Sequence, residues 1–444
     1  MDDKYFLTLL SALVCLALLN FRRLLLLRNL FVFKAFLIYA LAPVLLSADE
    51  DYLHWQLELT MILAAFFAGY AAIRLWPRSR PAAIAGFELP VPDFSFLKKG
   101  LYLLIGVSVV LLGARLLTAG SLSNFYNGTM QIDAIENYGK SDAAGAVLQI
   151  FSFILSTFLI VFLAIFLKQK ALFDLHATDR HASVSRFYNP LLLLLGFISL
   201  VVLPLLYFNR SQVFYGVITF LFITSILRIR YKAAISIILA IFALFFFVYA
   251  GFVRDRAMGG DNQIGFFFNS ELSPFLAYRD LQDNIDTLGY QYGNTIIGPY
   301  FLKLIPRGMM PEKPQNSGGY IMENLHPREF EAGFALAPTY MGCLYLNFGL
   351  AGVVLGTFLL GLFSGYFDRI LILHDYRHLG LFVLVFYYYF PLLRDDTSNI
   401  LFLLSASVLV YLLVSNWTAA RMTASRPHIH EYQPHFYHQG DLRS

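Results

Sequence analysis

The sequence predicts an all-α polytopic membrane protein with about 11 transmembrane helices and one long outward loop that carries short helices. Three observations carry this expectation. The 444 residues are 58% hydrophobic and only 14% charged, with 44 Phe and 27 Tyr, whereas soluble domains average about 45–50% apolar and about 25% charged. Apolar runs of near-bilayer length recur along the chain, and a helix needs roughly 20 such residues to cross the hydrocarbon. Lysine and arginine collect in alternate connections, the bias that orients membrane proteins.

In order, the runs cover Tyr5 to Leu19, Leu30 to Leu46, Leu57 to Ala72, Leu101 to Leu117, Val147 to Leu167, Leu191 to Phe208, Val213 to Leu227, Ala233 to Phe252, Thr339 to Tyr366, Leu379 to Leu393 and Asn399 to Val414. The first begins Met-Asp-Asp-Lys, with neither a basic start nor a small-residue cleavage site after it, and reads as a helix in place of a signal sequence. The leucine-rich join to the second, punctuated by Arg22, Arg23 and Arg28, suits a loop or a stretch along the interface. The chain thus divides into helices 1–8 (1–250), a polar segment (251–338), helices 9–11 (339–416) and a tail (417–444).

With the N-terminus outside, the inner connections hold Arg74, Arg78, Arg80, Lys98, Lys99, Lys168, Lys170, Arg180, Arg186, Arg228, Arg230, Lys232, Arg369 and Arg377, while one outer loop reads Asp49-Glu50-Asp51. Basic residues in short loops stay cytoplasmic, so the expected topology is N-terminus out, C-terminus in. The segment from Gly251 to Pro338 is outward despite its arginines, because long loops escape that rule. Cys15 and Cys343 lie in or beside apolar runs and define neither a disulfide framework nor a metal site. The tail histidines His428, His430, His435 and His438 read as a solvated cytoplasmic terminus, and Asn127-Gly128-Thr129 is a sequon by pattern only. No metal, cofactor or nucleic-acid partner is expected.

Within the polar segment, Ser273-Pro274 is a helix start. The alternation over Phe275, Leu276, Arg279, Leu281, Asp283, Ile285 and Asp286 suits a helix lying on the outer leaflet. Leu288 to Pro314, rich in Gly, Pro and Tyr, predicts an irregular loop, and Tyr320 to Leu325 a second short helix. Irregular backbone beside a membrane is tolerated where it lines a water-filled cavity, so the segment reads as the wall of an outward chamber. Arg210, Arg254, Arg307, Arg328 and Arg394 all fall in it or at outer helix ends, with Arg115 a further candidate. Guanidinium groups grip phosphate oxygens with a two-pronged fork, and a pyrophosphate is the fitting ligand. Pairing of each arginine with a nearby acid, or snorkelling to headgroups, is the plainer account of any one of them.

The region from Pro204 to Asn399 resembles the Wzy-type polymerases, membrane enzymes that assemble O-antigen and related bacterial polysaccharides. The resemblance rests on Arg210 at a helix start, Arg254 at the end of the next outgoing helix, Ile305-Pro306-Arg307 followed by Pro311-Glu312-Lys313-Pro314, then Asn316-Ser317, Glu323, Ala337-Pro338-Thr339 leading to Gly342, and Arg394 outside the penultimate helix. Arg254 to Gly265 and Arg307 to Gly318 also reproduce an arginine–glycine spacing found in some members.

The resemblance implies inverting glycosyl transfer between undecaprenyl-pyrophosphate-linked oligosaccharide units at the periplasmic face of the inner membrane, with a chain-length regulator protein as partner. Arg210, Arg254, Arg307, Arg328 and Arg394 would hold the departing pyrophosphate. Glu323 would take the acceptor proton, with Glu329, Glu331 and Asp395 as lesser candidates. Asn316, Tyr320 and Tyr340 would contact the glycan, although tyrosines in membrane proteins commonly serve as interfacial anchors. A ligase using the same donor, and a lipid-linked oligosaccharide flippase, are the alternatives. Transporters place ionisable groups inside the bilayer, and the apolar runs are nearly free of them, Lys34 being the clearest exception.

Overall fold

A computed structural model describes residues 3–19, 26–46, 52–75, 274–303, 305, 310, 312–331, 337–372 and 379–424, with isolated positions at 99, 102, 103, 106, 107, 109, 110, 161, 165, 219 and 241. The described residues are helical and contain no strand. Apart from those isolated positions, the five expected runs between 101 and 252 lie outside them. So do Arg210, Arg254, Arg307, Asp49-Glu50-Asp51 and the histidine tail.

The helices are α1 (Asp3–Leu18), α2 (Leu27–Phe36, continuing through a π-helical turn Leu37–Leu41 into Ala42–Leu46), α3 (Tyr52–Leu75) and α4 (274–283, with a further turn Ile285–Leu288). They continue as α5 (Asn294–Leu302), α6 (Ser317–Leu325), α7 (Pro327–Glu331), α8 (Thr339–Ile372), α9 (Leu379–Arg394) and α10 (Thr397–Ala424). Among the described residues, three stretches are long and apolar enough to cross a membrane, Leu27–Leu45, Tyr52–Ile73 and Thr339–Arg369.

The π turn in α2 has a covalent cause. Pro43 offers no N–H to the Tyr39 carbonyl and its ring crowds that oxygen, and the turn widens so that the Ala42 N–H reaches the Leu37 carbonyl instead. At the other end of α2, the first N–H groups lack intrahelical partners. Buried Asp368 of α8 accepts from the N–H of Leu27 (2.8 Å) and Arg28 (3.3 Å) and from the Tyr70 hydroxyl of α3 (3.1 Å). One carboxylate therefore joins three helices at the arginine-bearing end of the bundle.

Helices α3 and α8 run side by side in near backbone contact. A Cβ on Gly69 would lie 2.1 Å from the Phe358 carbonyl oxygen, and one on Gly361 would lie 2.1 Å from that of Phe66. Gly365, one turn on from Gly361, faces the Tyr70 backbone. A small-xxx-small pattern of this kind lets apolar helices approach where no hydrophobic force joins them.

The expected single run from Thr339 to Tyr366 is instead a hairpin. Gly349 has φ 63° and ψ −160°, a conformation essentially confined to glycine. The Tyr340 hydroxyl donates to the Gly356 carbonyl at 3.0 Å, and the Leu344 side chain reaches Gly356. In a straight helix those sixteen residues would rise about 24 Å. Residues 339–348 thus fold back antiparallel along 350–359, a close approach allowed by Gly352 and Gly356. Only 350–372 forms one straight rod, about 34 Å long, still enough for a roughly 30 Å hydrocarbon layer.

Two further expectations are corrected. Helix α4 does not lie on lipid: Phe275, Ala277, Tyr278 and Leu281 are fully buried, with Phe275 and Tyr278 stacked edge-on against Trp55 of α3 and Tyr39 of α2. The interval 288–314 contains a real helix, α5, in spite of Gly298 and Pro299.

Candidate functional site

The site forms where the loop-borne helices meet the turn at Gly349 and the α9–α10 corner. Folding 339–348 back leaves the last carbonyls of that half-helix without intrahelical donors. The strap between α4 and α5 supplies them, with the Gln291 N–H bonding the Leu346 carbonyl and the Tyr292 N–H bonding that of Asn347, both at 3.0 Å. Positive φ at Gly289 (67°), Tyr292 (46°) and Gly293 (92°) lets the strap curl tightly enough to do so.

Asn347 fixes this join. Its buried amide donates to the Cys343 carbonyl (2.7 Å) and Thr295 Oγ1 (2.8 Å), and its Oδ1 accepts from the Gly293 N–H (2.9 Å). Thr295 Oγ1 also lies 3.0 Å from Ser317 Oγ at the start of α6. Asp396 completes the chain of polar contacts, accepting from the Gly318 N–H (3.1 Å), the Ser398 N–H (3.0 Å) and the Ser398 hydroxyl. Burial pushes the Asp396 carboxyl above the usual carboxylate range, and the donors from Ser398 and Gly318 and the charge of Lys303 pull it partly back.

The depth of this corner matters. Leu393, Met341 and Tyr39 line one small cavity, and Cys343 lies against Thr397. Met341 and Cys343 are eight and six residues from Gly349, roughly 9–12 Å along the folded-back half-helix. The corner from Arg394 to Asp396 therefore lies below the Gly349 turn, with Asp395 and Asp396 on non-helical backbone of the sort that bilayer proteins keep only in protein or around water.

The expected site residues divide as follows. Asn316 caps α6, its Oδ1 accepting from the Gly319 N–H at 2.9 Å. The Tyr320 hydroxyl donates to the Leu288 carbonyl and accepts from Gln291 Nε2, both at 2.8 Å, and the Tyr340 hydroxyl is held inside the α8 hairpin. Glu323 is exposed on α6 and accepts from Gln315 Nε2 at 2.6 Å, Arg328 is exposed on α7, and Arg394 is half-buried at the end of α9. The fold joins Asn316-Ser317-Gly318 directly to the Arg394–Asp396 corner. Glu323 and Arg328 stand apart from it, on the exposed sides of α6 and α7. Among the described residues no group of three His, Cys, Asp or Glu side chains could hold a metal.

No protein-family model, curated protein or solved structure matches this chain.

Sequence reasoning passed over a second acid. Glu58 of α3 is buried, accepts from the Tyr278 hydroxyl and from Gln282 Nε2 (3.3 Å), and lies 3.8 Å from the exposed His54. With Lys34 over the Phe390 ring (4.9 Å) and Asp368 at the far end, the helices hold more buried ionisable groups than the sequence reading allowed. The available signal was their position in otherwise apolar helices.

Proposed function

We propose that the chain is a membrane glycosyltransferase that polymerises undecaprenyl-pyrophosphate-linked oligosaccharide repeat units, at the outer face of a bacterial inner membrane, for O-antigen or a related surface polysaccharide. In this reading about 11 helices span the bilayer, the N-terminus is periplasmic, the C-terminus cytoplasmic, and the 251–338 segment periplasmic. The acceptor hydroxyl oxygen attacks the anomeric carbon of the lipid-linked chain, the bond to pyrophosphate breaks with inversion, and pyrophosphate leaves with the electron pair. Arg210, Arg254, Arg307, Arg328 and Arg394 neutralise it, and Glu323 accepts the proton. Asn316, Tyr320 and Tyr340 line the glycan path. The scheme needs no metal, and a chain-length regulator is the protein partner.

The observation that supports it most is the bond between the Gly318 N–H and Asp396. Motif pieces separated by 78 residues meet beside Arg394. A transporter reading draws on two other facts, the half-helix ending at Gly349 and the buried Glu58 and Lys34, both common in carriers. A ligase reading shares the donor and changes the acceptor.

The test is made in cells whose surface glycan is read by gel. Arg254→Ala and Arg307→Ala should remove long chains while single units still reach the surface, with the protein present in the membrane; Arg→Lys should restore little, because an ammonium lacks the fork. Loss of single units as well would favour transport. Full-length chains in both alanine variants would remove the phosphate-binding role.

A further inference from the structure

Helix α5 ends in an unexpected place. It starts at the strap, level with the Gly349 turn, where Thr295 is tied to Asn347. Its far end is tied to α10: the Tyr300 hydroxyl lies 2.8 Å from Ser405 Oγ, Lys303 Nζ donates to Asn399 Oδ1 at 2.6 Å, and the Tyr300 ring meets that of Phe402. Asn399, Phe402 and Ser405 lie two, five and eight residues beyond Thr397, about 3–12 Å further along α10, and that corner is already below the Gly349 turn. The helix therefore points into the bundle's transmembrane zone and does not lie across its end.

Its two sides differ in kind. Thr295 and Pro299 are buried against the protein, whereas Ile297 and Phe301, four residues apart on one face, are 56% and 75% exposed. Phe348 at the turn, 46% exposed, flanks Gly293 beside Ile297. The outward sides of the neighbouring spans are equally apolar, with Leu355 and Leu359 on α8 and Leu409 and Leu413 on α10 all more than half exposed. A helix with polar ties inward and large apolar side chains outward, set between lipid-facing helices, fits hydrocarbon.

We propose that residues 289–303 form a re-entrant element seated in the leaflet on the Gly349 side, with Ile297 and Phe301 against lipid tails. Its backbone breaks are consistent with that setting. Pro299 removes one helical donor, and the strap amides at 291–293 are bonded to α8, so little backbone is left unpaired where water is scarce. The side-chain bonds from Tyr300 and Lys303 to α10 serve as the polar attachment that apolar packing cannot provide in lipid. The element would then fix the depth of α6 and the Asp396 corner relative to the bilayer. The inference concerns the membrane alone and stands whether or not the protein transfers sugars.

The experiment places a nitrobenzoxadiazole probe on Ile297→Cys, Phe301→Cys and, as a water-facing control, Asp286→Cys in nanodiscs. The two native cysteines are buried, which confines labelling to the new thiols. Chain-brominated phosphatidylcholine should quench most of the emission at 297 and 301 and little at 286, and aqueous iodide should do the reverse. Iodide quenching at 297 and 301 without bromolipid quenching overturns the proposal, and so does protection from both quenchers, the result for a face covered by protein. Photolabelling the unsubstituted protein with a diazirine on the lipid tail supplies a check without mutation: label should appear in the 294–302 peptide, and its absence there, with label in α8 and α10, again overturns it.

Discussion

Asn347→Leu isolates the join between the strap and the α8 hairpin. Leucine keeps the branching at Cγ but removes the acceptor for the buried Gly293 N–H and the bonds to Thr295 and the Cys343 carbonyl. An orphaned buried donor costs about 1–3 kcal/mol, and each lost bond with re-paired partners about 0.5–1.5 kcal/mol. Ser317 can still satisfy Thr295 (3.0 Å), so the sum is roughly 2–4 kcal/mol. It falls on local opening of the strap, since the α3–α8 packing does not involve Asn347. Hydrogen exchange read by mass spectrometry on the protein in nanodiscs should show the Gln291, Tyr292 and Gly293 amides exchanging about 30- to 700-fold faster, at a factor of ten per 1.4 kcal/mol, with amides of residues 358–368 unchanged. Unaltered exchange at 291–293 would refute the assignment of Asn347 as the join, and equal acceleration throughout α8 would refute its locality.

At the α3–α8 contact, Gly361→Ala forces a methyl into the Phe66 carbonyl (2.1 Å from the ideal Cβ), and overpacking of this kind costs about 1–3 kcal/mol. Its thermal midpoint should fall, whereas Gly106→Ala, where a Cβ meets nothing within 4 Å, should not change it. Asp396 has its pKa raised by burial, so its contribution to stability is present below the ordinary carboxylate pKa and is lost as pH rises through the higher folded value. Midpoints measured across that window should fall with rising pH in the wild type, and the Asp396→Asn profile should be flatter.

Much of this fold was legible in hydropathy. Six expected runs coincide closely with α1, α2, α3, α8, α9 and α10, and among the described residues three stretches, in α2, α3 and α8, have the length and apolarity that lipid demands. The short helix expected at 320–325 lies within α6, whose Asn316 cap is local chemistry. The hairpin at Gly349 was not legible, since a glycine in an apolar run reads the same in a straight helix and in a reversal. Only the tertiary contacts from Gly352 and Gly356 decide it. Helix α5 was hidden by Gly293, Gly298 and Pro299, breakers that packing on α10 overrides. The amphipathic pattern of α4 was read correctly as a helix and assigned to the wrong partner, because periodicity marks an apolar face without saying whether lipid or protein covers it. Of the corner, the sequence pointed to Asn316 and Arg394 but not to Asn347 or Thr295, nor to the buried Glu58, whose roles arise from segments that meet only on folding.

The central claim, glycosyl transfer between lipid-linked units, is tested by purified protein in vesicles given undecaprenyl-pyrophosphate-linked repeat units and nothing else. A time-dependent ladder of products on a gel, spaced by one repeat unit and weakened in Arg394→Ala, is the predicted result. Unaltered single units, with the wild-type protein folded and the substrate accessible at both faces, would contradict it.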